Sequence, residues 1–490
     1  MSLSTSRASS ARSSARAAIR GTRRRFDTCD QRRALLRTRQ RRAPDLWLLV
    51  VVLAVSAPFM QGLGPQQGSR YALTAAALDQ HTISVSDYSH LLGVDFATHN
   101  GDIFSDKAPG QPFLAIPAYG LYRLVGGHNA MWTNSTGDVG LWVVSVWSSA
   151  MPAALLAVLM RRFAMQAGAS PKSASTAAVA MSLSTMLLPF STQLFGHIQA
   201  AVFGLSSYVV LNRMSVTRRR LVLGGTFAGL GIITEYPLAI VAAVVWLSTI
   251  YRHRGRSIWF VLGVAGPVVL LAVYNCRLFD DPLALSYSHG QFGMPEVRPP
   301  LVGMGLAVLI GDRGLFTLTP TVALAVVGTL GMLRFNRDHG LDNSAYVSSV
   351  LGCVIVVAFV ALMASWGNPY GGASPGPRYV IPALPWLAPG LAYCAERYRI
   401  PLYACTVVGV LGMLLATVTQ PLAPPVENAL MFWLQKVANG QFAPTIFDRI
   451  IPYPLVRLLV PLCCCAIAGW QLYRAESMKR QAAPPRVSPT

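Results

Sequence analysis

Long apolar segments alternate with short polar intervals along most of the chain. Twelve of these segments are close to the ~20 residues that a membrane-spanning helix needs. They lie near residues 46–63, 139–160, 174–190, 193–211, 220–234, 236–251, 257–275, 317–334, 345–364, 379–395, 400–417 and 455–473. A further apolar segment near 111–125 is brief and rich in Tyr, Gly and Pro, which favours a juxtamembrane helix. The pattern predicts an all-α polytopic membrane protein with about twelve transmembrane helices.

The composition agrees with a membrane protein and suggests its domains. Hydrophobic residues make up 53% of the sequence and charged residues 12%, whereas soluble domains carry about 25% charged residues. We expect one membrane domain at 45–475 and a cytoplasmic tail at 476–490. Residues 1–44 hold thirteen arginines and two aspartates, so we expect a disordered, basic cytoplasmic tail. This charge favours contact with anionic lipid and not with nucleic acid, because no interleaved aromatic residues accompany it.

Basic residues between the apolar segments predict the orientation. Several intervals contain arginines, namely Arg161, Arg162, Arg218, Arg219, Arg220, Arg252, Arg254, Arg256, Arg334, Arg337, Arg397 and Arg399. The opposite intervals are long and poor in Lys and Arg, which is the positive-inside pattern. We therefore expect a multi-pass protein of the plasma (inner) membrane with both termini in the cytoplasm.

The loops predicted to be extracytoplasmic hold nearly all the side chains that could carry chemistry. These loops are 64–110, 276–316 and 365–378. A transporter would instead place its ionisable residues midway along the spans, where this chain is almost entirely apolar. The pattern indicates chemistry at the extracytoplasmic surface of the membrane.

Short motifs in these loops follow a recognisable order. Arg70-Tyr71 comes shortly after the first apolar segment, and Asp106-Lys107-Ala108-Pro109 comes just before the juxtamembrane segment. Gly311-Asp312-Arg313-Gly314 and Gly376-Pro377-Arg378-Tyr379 follow further along. Over roughly residues 46–395 this order resembles the GT-C fold glycosyltransferases, which include the protein O-mannosyltransferases and the aminoarabinose transferases of lipid A.

The resemblance implies transfer of a sugar from a polyprenyl-phosphate donor to an extracytoplasmic acceptor, which could be a glycan, a lipid or a protein. Such a reaction needs a carboxylate to accept the acceptor's proton and cations to hold the donor phosphate. It implies no cofactor, because arginine and lysine can stabilise the leaving phosphate, although a divalent cation stays an open alternative. The alternative functions are a transporter or flippase of lipid-linked sugars, or a catalytically inactive relative.

Three aspartates of the first loop are candidates for the catalytic base: Asp106, Asp87 and Asp95. The family often has an acidic pair directly before its Arg-Tyr element, but here the preceding residues are Gln66, Gln67, Gly68 and Ser69. The base must therefore lie elsewhere in the loop, unless catalysis has been lost. Each aspartate could instead be a solvated loop carboxylate or a helix cap.

Four cations are candidates for binding the donor phosphate. Lys107 is the first of them, and it is supported by Arg70, Arg378 and Arg313. Lys107 could instead form an ion pair with Asp106. Arg378 lies at the start of an apolar segment, where a lone arginine is costly unless it has an anionic partner.

Five residues are candidates for contact with the sugar or the acceptor: Trp366, Asn368, Tyr370, Glu235 and His289. The aromatic loop around Trp366 could instead belong to an interfacial belt, and Glu235 could form a salt bridge with an arginine. We predict no metal site, because the histidines lack a spaced cluster of further ligands. The loop 418–452 could form a surface helix that helps to select the acceptor.

Overall fold

The computed structural model describes residues 43–127, 138–212, 216–291, 293, 298–338, 343–425 and 427–481, with residues 449 and 478–481 described by their backbone alone. The predicted basic tail at 1–44 lies outside the described residues except for its last two positions, and the predicted C-terminal tail is described only as far as 481. The chain divides into two compact units. One unit is Leu48–Gly469, which contains all the sites discussed below, and the described residues 43–47 and 470–481 belong to the other.

The described part of the chain is mostly helical. Its α-helices are α1 (Ala43–Ser56), α2 (Pro65–Ala75), α3 (Gly110–Leu124), α4 (Val139–Ser145), α5 (Met151–Gln166), α6 (Pro171–Leu183), α7 (Leu187–Phe190), α8 (Gly196–Leu211), α9 (Arg218–Thr234), α10 (Ala239–His253), α11 (Ile258–Phe279), α12 (Val302–Ile310), α13 (Leu315–Leu318), α14 (Pro320–Phe335), α15 (Ser344–Ala364), α16 (Ala388–Arg397), α17 (Arg399–Val418), α18 (Ala429–Ala438) and α19 (Pro454–Gln481). Short 3₁₀ turns at Ser86–Leu91, Tyr236–Leu238, Arg254–Ser257, Ser286–His289, Arg378–Leu387 and Ile446–Arg449, and π-helical turns at Ala76–Gln80 and Val146–Ala150, complete the helical elements.

A two-stranded antiparallel hairpin interrupts the helices in the first loop. Its strands are β1 (Phe96–His99) and β2 (Asp102–Ser105). The turn between them is Asn100-Gly101, whose φ angles are 51° and 91°. Asn-Gly is the preferred sequence for a two-residue hairpin turn with positive φ at both positions, so the local sequence accounts for the hairpin.

Five helical stretches of the described residues are long and apolar enough to cross a membrane: Val139–Gln166, Tyr236–Phe279, Ser344–Ala364, Arg399–Val418 and Pro454–Ser477. The pair Val302–Leu318 and Pro320–Phe335, bent by 99°, makes a sixth if it forms one span. Two further apolar helices, Ala43–Ser56 and Gly196–Leu211, are shorter. These elements belong to a helical membrane protein, and the count of about twelve spans stays a prediction.

The segment 379–395 differs from the single spanning helix that the sequence predicted. Residues Arg378–Leu387 form a 3₁₀ helix, and α16 begins only at Ala388. Pro382 and Pro385 cannot donate the backbone hydrogen bonds of an α-helix, and their rings clash with the preceding turn. These two prolines account for the tighter, interrupted helix.

Two glycines allow the end of α9 to pack closely against the first turns of α3 and α8. A Cβ atom on Gly110, at the start of α3, would lie 2.6 Å from the carbonyl oxygen of Ile233. A Cβ atom on Gly196, at the start of α8, would lie 2.5 Å from Oε1 of Glu235. Because no larger side chain fits at either position, α3 and α8 pack directly against the end of α9.

The loops between the helices sort into two groups. Loops 64–110, 276–293 and 365–379 contribute residues to one cavity. The turns that follow α5 and α14, together with helix α16, contribute residues to another cavity of about 360 Å³. The loops predicted to face outward thus share one cavity, and residues beside three of the segment ends predicted to face the cytoplasm line a separate one.

Candidate active site

Loops 64–110, 276–293 and 365–379 line a cavity of about 630 Å³, within the about 300–1,000 Å³ typical of ligand sites. Its charged and polar lining residues are Asp95, Asp106, Lys107, Arg378, Gln66 and Asn368. Its aromatic lining residues are Phe195, Tyr287, Trp366 and Tyr379. We call this space the charged cavity.

The hairpin sets the spacing of the two aspartates in the charged cavity. Phe96 pairs with Ser105 at the open end of the hairpin. Asp95 and Asp106 are the next residues outward on the two strands, so they lie side by side. A pair of residues eleven positions apart in the sequence therefore becomes one local group.

Lys107 bridges these two aspartates. Its Nζ lies 2.7 Å from Oδ1 of Asp95 and 2.8 Å from Oδ2 of Asp106. The ammonium is buried and lies 5.6 Å from the ring centre of Tyr287. The predicted ion pair with Asp106 is present, and most of the lysine's charge is already compensated by carboxylates.

The two aspartates differ in what surrounds them. Asp106 is buried, and its Oδ1 also accepts a hydrogen bond of 3.3 Å from the hydroxyl of Ser69. Burial raises the pKa of Asp106 above its usual range, although Lys107 lowers it. The Asp95 side chain is more open, at 14% exposed, and among the described residues nothing donates a hydrogen bond to its Oδ2. Asp95 therefore has an oxygen available to a molecule in the charged cavity.

Arg70 forms a buried ion pair with Glu235. Nη2 of Arg70 lies 2.8 Å from Oε1 of Glu235, and the two side chains are 1% and 3% exposed. Arg70 is on α2, and Glu235 is in the break after α9. Neither residue lines the charged cavity. Glu235 therefore forms the salt bridge with an arginine that the sequence offered as the alternative to contact with the sugar. The ion pair accounts for Glu235 without any contact to sugar.

Arg378 has no such partner. Its side chain is buried and lines the charged cavity, but no carboxylate of the described residues lies within ion-pair distance. Its Nη1 reaches only the carbonyl oxygen of Ala373, at 3.5 Å, and its Nε has no hydrogen-bond partner in this part of the chain. The guanidinium lies 5.7 Å from the ring centre of Phe195, and the guanidinium of Arg70 lies 5.5 Å from the same ring. Two guanidinium groups therefore flank one aromatic ring.

Two of the predicted contact residues in the aromatic loop, Trp366 and Asn368, line the charged cavity. Trp366 packs edge-on against Tyr379 with ring centres 4.5 Å apart, and its buried Nε1 has no hydrogen-bond partner among the described residues. The side-chain oxygen of Asn368 accepts hydrogen bonds from the backbone N–H groups of Tyr370 and Gly371, at 3.0 and 3.1 Å. Asn368 thereby closes the turn that presents Trp366.

Asp87 and His289 do not line the charged cavity. Asp87 is exposed, and its Oδ2 accepts a hydrogen bond of 3.0 Å from Nε2 of Gln80. The ring of His289 stacks on Phe279 with ring centres 4.2 Å apart. Each residue lies in a loop that contributes to the charged cavity, but its own side chain does not line that cavity. The 3₁₀ turns Ser86–Leu91 and Ser286–His289 hold these two side chains away from it.

Arg313 and Tyr370 also lie away from the charged cavity. Arg313 donates to the carbonyl groups of Ser374, Ala423, Pro424 and Glu427, and it thereby joins two loops. The hydroxyl of Tyr370 donates to Asp312 at 2.7 Å. These contacts give both residues a structural explanation in place of the predicted contacts with phosphate and sugar.

The sequence analysis did not assign Phe195, Tyr287 or Tyr379 to a site. Tyr379 directly follows Arg378, and that adjacency was the available signal. Burial raises the pKa of Tyr287 well above its usual range, so its hydroxyl stays protonated beside Lys107. Phe195 lies before α8 in an apolar stretch, where nothing in the sequence distinguishes it from other packed aromatic residues.

The comparison with known proteins gives distant structural likenesses. No family model matches the sequence, and neither does any curated protein. The chain is similar to crystal structures of ArnT from Cupriavidus metallidurans, one in the apo state and one bound to undecaprenyl phosphate, with 12% and 13% identity, TM-scores of 0.47 and 0.48, and coverage of 88% of this chain and 74% of that one. It is also similar to the oligosaccharyltransferase AglB from Archaeoglobus fulgidus in complex with an inhibitory peptide and a dolichol-phosphate, with 12% identity, a TM-score of 0.38, and coverage of 89% and 56%. Both are GT-C fold glycosyltransferases, the family that the sequence motifs resemble, but likenesses this distant carry no argument about the reaction.

Within the described residues, no group of three or more His, Cys, Asp or Glu side chains could hold a metal ion.

Proposed function

We propose that the protein is a membrane glycosyltransferase that moves a sugar from a polyprenyl-phosphate donor to an acceptor hydroxyl. The observation that carries this proposal is Arg378, a buried guanidinium that lines the charged cavity without a carboxylate partner among the described residues. A buried charge is costly unless it is paired. A phosphate group would supply the missing partner. One guanidinium group can donate two parallel hydrogen bonds to the oxygens of a phosphate.

The four charged lining residues balance one another, because Lys107 and Arg378 offset Asp95 and Asp106, so any preference for an anion is local to Arg378. Glu235 compensates Arg70, and Lys107 is shared by Asp95 and Asp106. Arg378, in contrast, has no carboxylate within ion-pair distance among the described residues, so a phosphate can approach it without displacing an existing ion pair. A donor phosphate beside Arg378 would also lie near Phe195, whose ring contacts both guanidinium groups.

The reaction needs a base next to this phosphate, and Asp95 suits that role. The acceptor oxygen attacks the anomeric carbon of the sugar, and a new C–O bond forms as the bond to the phosphate oxygen breaks. The bonding electrons leave with the lipid phosphate, where Arg378 offsets the growing negative charge. The acceptor's proton passes to Oδ2 of Asp95, and Lys107 holds that carboxylate in place through its Oδ1.

Trp366 suits contact with the sugar. Its indole ring offers an apolar face to the C–H groups of a sugar, while its Nε1 lacks a partner among the described residues and can donate to a sugar hydroxyl. The donor sugar would then lie between Trp366 and Asp95, which both line the charged cavity.

We further propose that this cavity opens on the extracytoplasmic side of the plasma (inner) membrane. The positive-inside pattern of the arginines between the apolar segments supports this orientation. Impermeant cysteine reagents test it. A cysteine at Ser84 should react from outside intact cells, and a cysteine at His253 should not.

Product formation by purified protein tests the proposed activity. In nanodiscs, the wild type should form a new glycosidic bond from a polyprenyl-phosphate sugar and a membrane extract that contains acceptors. Movement of labelled lipid-linked sugar across a sealed bilayer, without any new glycosidic bond, would identify a flippase and contradict the proposal.

A further inference from the structure

A second cavity of about 340 Å³ adjoins the charged cavity. Leu422 lines both cavities, and the neighbouring residues Gln66 and Gln67 each line one of them. The chain that follows α1 forms one wall, and the loop after α18 forms another. Met60 donates a backbone hydrogen bond of 2.8 Å to Pro444, which joins these two walls.

The lining of this second cavity is rich in amides. Five glutamines contribute to it, and we therefore call it the glutamine cavity: Gln61, Gln67, Gln193, Gln420 and Gln441. Lys436 is the one cation, Phe442 adds an aromatic ring, and no carboxylate lines the cavity among the described residues. Each glutamine amide offers two donors and an acceptor, which matches hydroxyl groups that both donate and accept.

Some of these amides are fixed by the protein. Nε2 of Gln61 donates to the carbonyl oxygen of Thr417 at 2.8 Å. Nε2 of Gln67 donates to the carbonyl oxygen of Gly62 at 2.9 Å, and its Oε1 accepts from the backbone N–H of Leu194 at 3.2 Å. Hydrogen bonds of this kind orient the wall before a ligand binds, which reduces the entropy lost on binding.

Gln193 differs from these fixed amides. Its side chain is buried, with the residue 1% exposed, and its Nε2 has no hydrogen-bond partner within the described residues. A buried polar atom without a partner is energetically costly, because it has lost its hydrogen bonds to water without gaining others. A ligand hydroxyl would satisfy this amide.

We infer that the glutamine cavity binds a saccharide, and that this saccharide is the acceptor of the transfer reaction. The inference rests on the proposed function, because the acceptor must lie next to the donor site and the two cavities share Leu422. Amides with an aromatic neighbour suit a sugar ring, whose hydroxyls and C–H face need different partners. Lys436 and the absence of lining carboxylates in the described chain disfavour a cationic sugar.

Saccharide binding can be measured without any transfer reaction. The probe is an array of neutral oligosaccharides, and the sample is the full chain in nanodiscs. The wild type should be retained, and Gln193→Leu should reduce retention by about 2- to 10-fold, which corresponds to the about 0.5–1.5 kcal/mol of one hydrogen bond between neutral groups. Gln80→Leu is the matched control, because Gln80 lines neither cavity and donates to the exposed Asp87.

The variants also separate this inference from a folding defect and from the proposed function. Gln193→Leu should unfold at the same temperature as the wild type or higher, because it removes an unsatisfied amide, and Gln61→Leu provides a second test of saccharide retention. Wild-type protein that binds polyprenyl phosphate but retains no oligosaccharide, or equal retention by wild type and Gln193→Leu, overturns the inference alone. Retention of saccharide without any binding of polyprenyl phosphate contradicts the proposed function instead.

Discussion

Phe96 and Ser105 form the last pair of the hairpin, and this pairing brings Asp95 and Asp106 together on either side of Lys107. The geometry of the charged cavity thus depends on a turn at the far end of the hairpin, Asn100-Gly101. The conformation of this turn therefore affects the position of the proposed catalytic aspartate.

The first prediction concerns that turn. Gly101 has a φ of +91° and nothing within 4 Å of its position for a Cβ atom, so a substitution there strains the backbone without a steric clash. Gly101→Val should destabilise the hairpin by about 1–3 kcal/mol and should lower kcat for transfer. Gly255→Val is the control, because Gly255 also has open space around it but lacks a positive φ. Equal kcat values for the two variants would contradict the prediction.

The second prediction concerns the base. Asp95→Asn keeps the shape of the side chain but removes its basicity, so kcat should fall by about 10²–10⁴-fold while binding of the donor is nearly unchanged. Asp87→Asn should leave kcat at the wild-type level, because Asp87 is exposed and lies outside the charged cavity. Steady-state transfer kinetics of both variants provide the measurement. A large loss in Asp87→Asn with none in Asp95→Asn would reverse the assignment.

The third prediction concerns Lys107 and stability. Lys107→Met leaves two neighbouring carboxylates without their shared cation, and breaking a buried ion pair costs about 3–5 kcal/mol. We expect a loss of this size in the free energy of unfolding, measured by denaturant titration in detergent. Lys436→Met is the control for removal of a lysine charge. A free energy of unfolding unchanged in Lys107→Met would show that the bridge contributes nothing to the fold.

The fourth prediction concerns pH. Burial raises the pKa of Asp106 above the usual 3.8, so the folded protein holds this proton more tightly than the unfolded chain does. The resulting stabilisation is complete below the unfolded-state pKa and is lost as the pH rises through the folded-state pKa. The unfolding temperature of the wild type should therefore fall relative to that of Asp106→Asn as the pH rises from about 4 to about 7. A constant difference between the two proteins across this range would contradict the shift.

The sequence predicted the helical membrane fold from apolar periodicity, but it could not give the form of each segment. Pro382 and Pro385 turned a predicted span into a 3₁₀ helix, and this effect depends on backbone hydrogen bonds that a hydropathy pattern does not record. The hairpin has a local sequence signal, Asn100-Gly101, that is independent of the pattern of apolar segments. Local turn chemistry therefore held information that periodicity did not.

The candidate site was predictable in part. Six predicted residues line the charged cavity, namely Asp95, Asp106, Lys107, Arg378, Trp366 and Asn368, although their roles stay predictions. Arg313 could not be distinguished from Arg378 in the sequence, because both follow a glycine-containing turn beside an apolar segment. Only the fold shows that carbonyl groups surround Arg313 while Arg378 lacks an anionic partner among the described residues.

Binding of a polyprenyl phosphate by the Arg378→Gln variant tests the central claim most directly. The probe is undecaprenyl phosphate, titrated against the full chain in detergent. One charge-assisted contact to phosphate contributes about 1.5–3 kcal/mol, so Kd should rise about 10-fold or more in Arg378→Gln. Arg397→Gln is the matched control, because Arg397 also packs on aromatic rings, Tyr393 and Phe335, but lines the separate cavity. A Kd that is unchanged in folded Arg378→Gln, or that rises equally in both variants, would contradict a donor-phosphate site at Arg378.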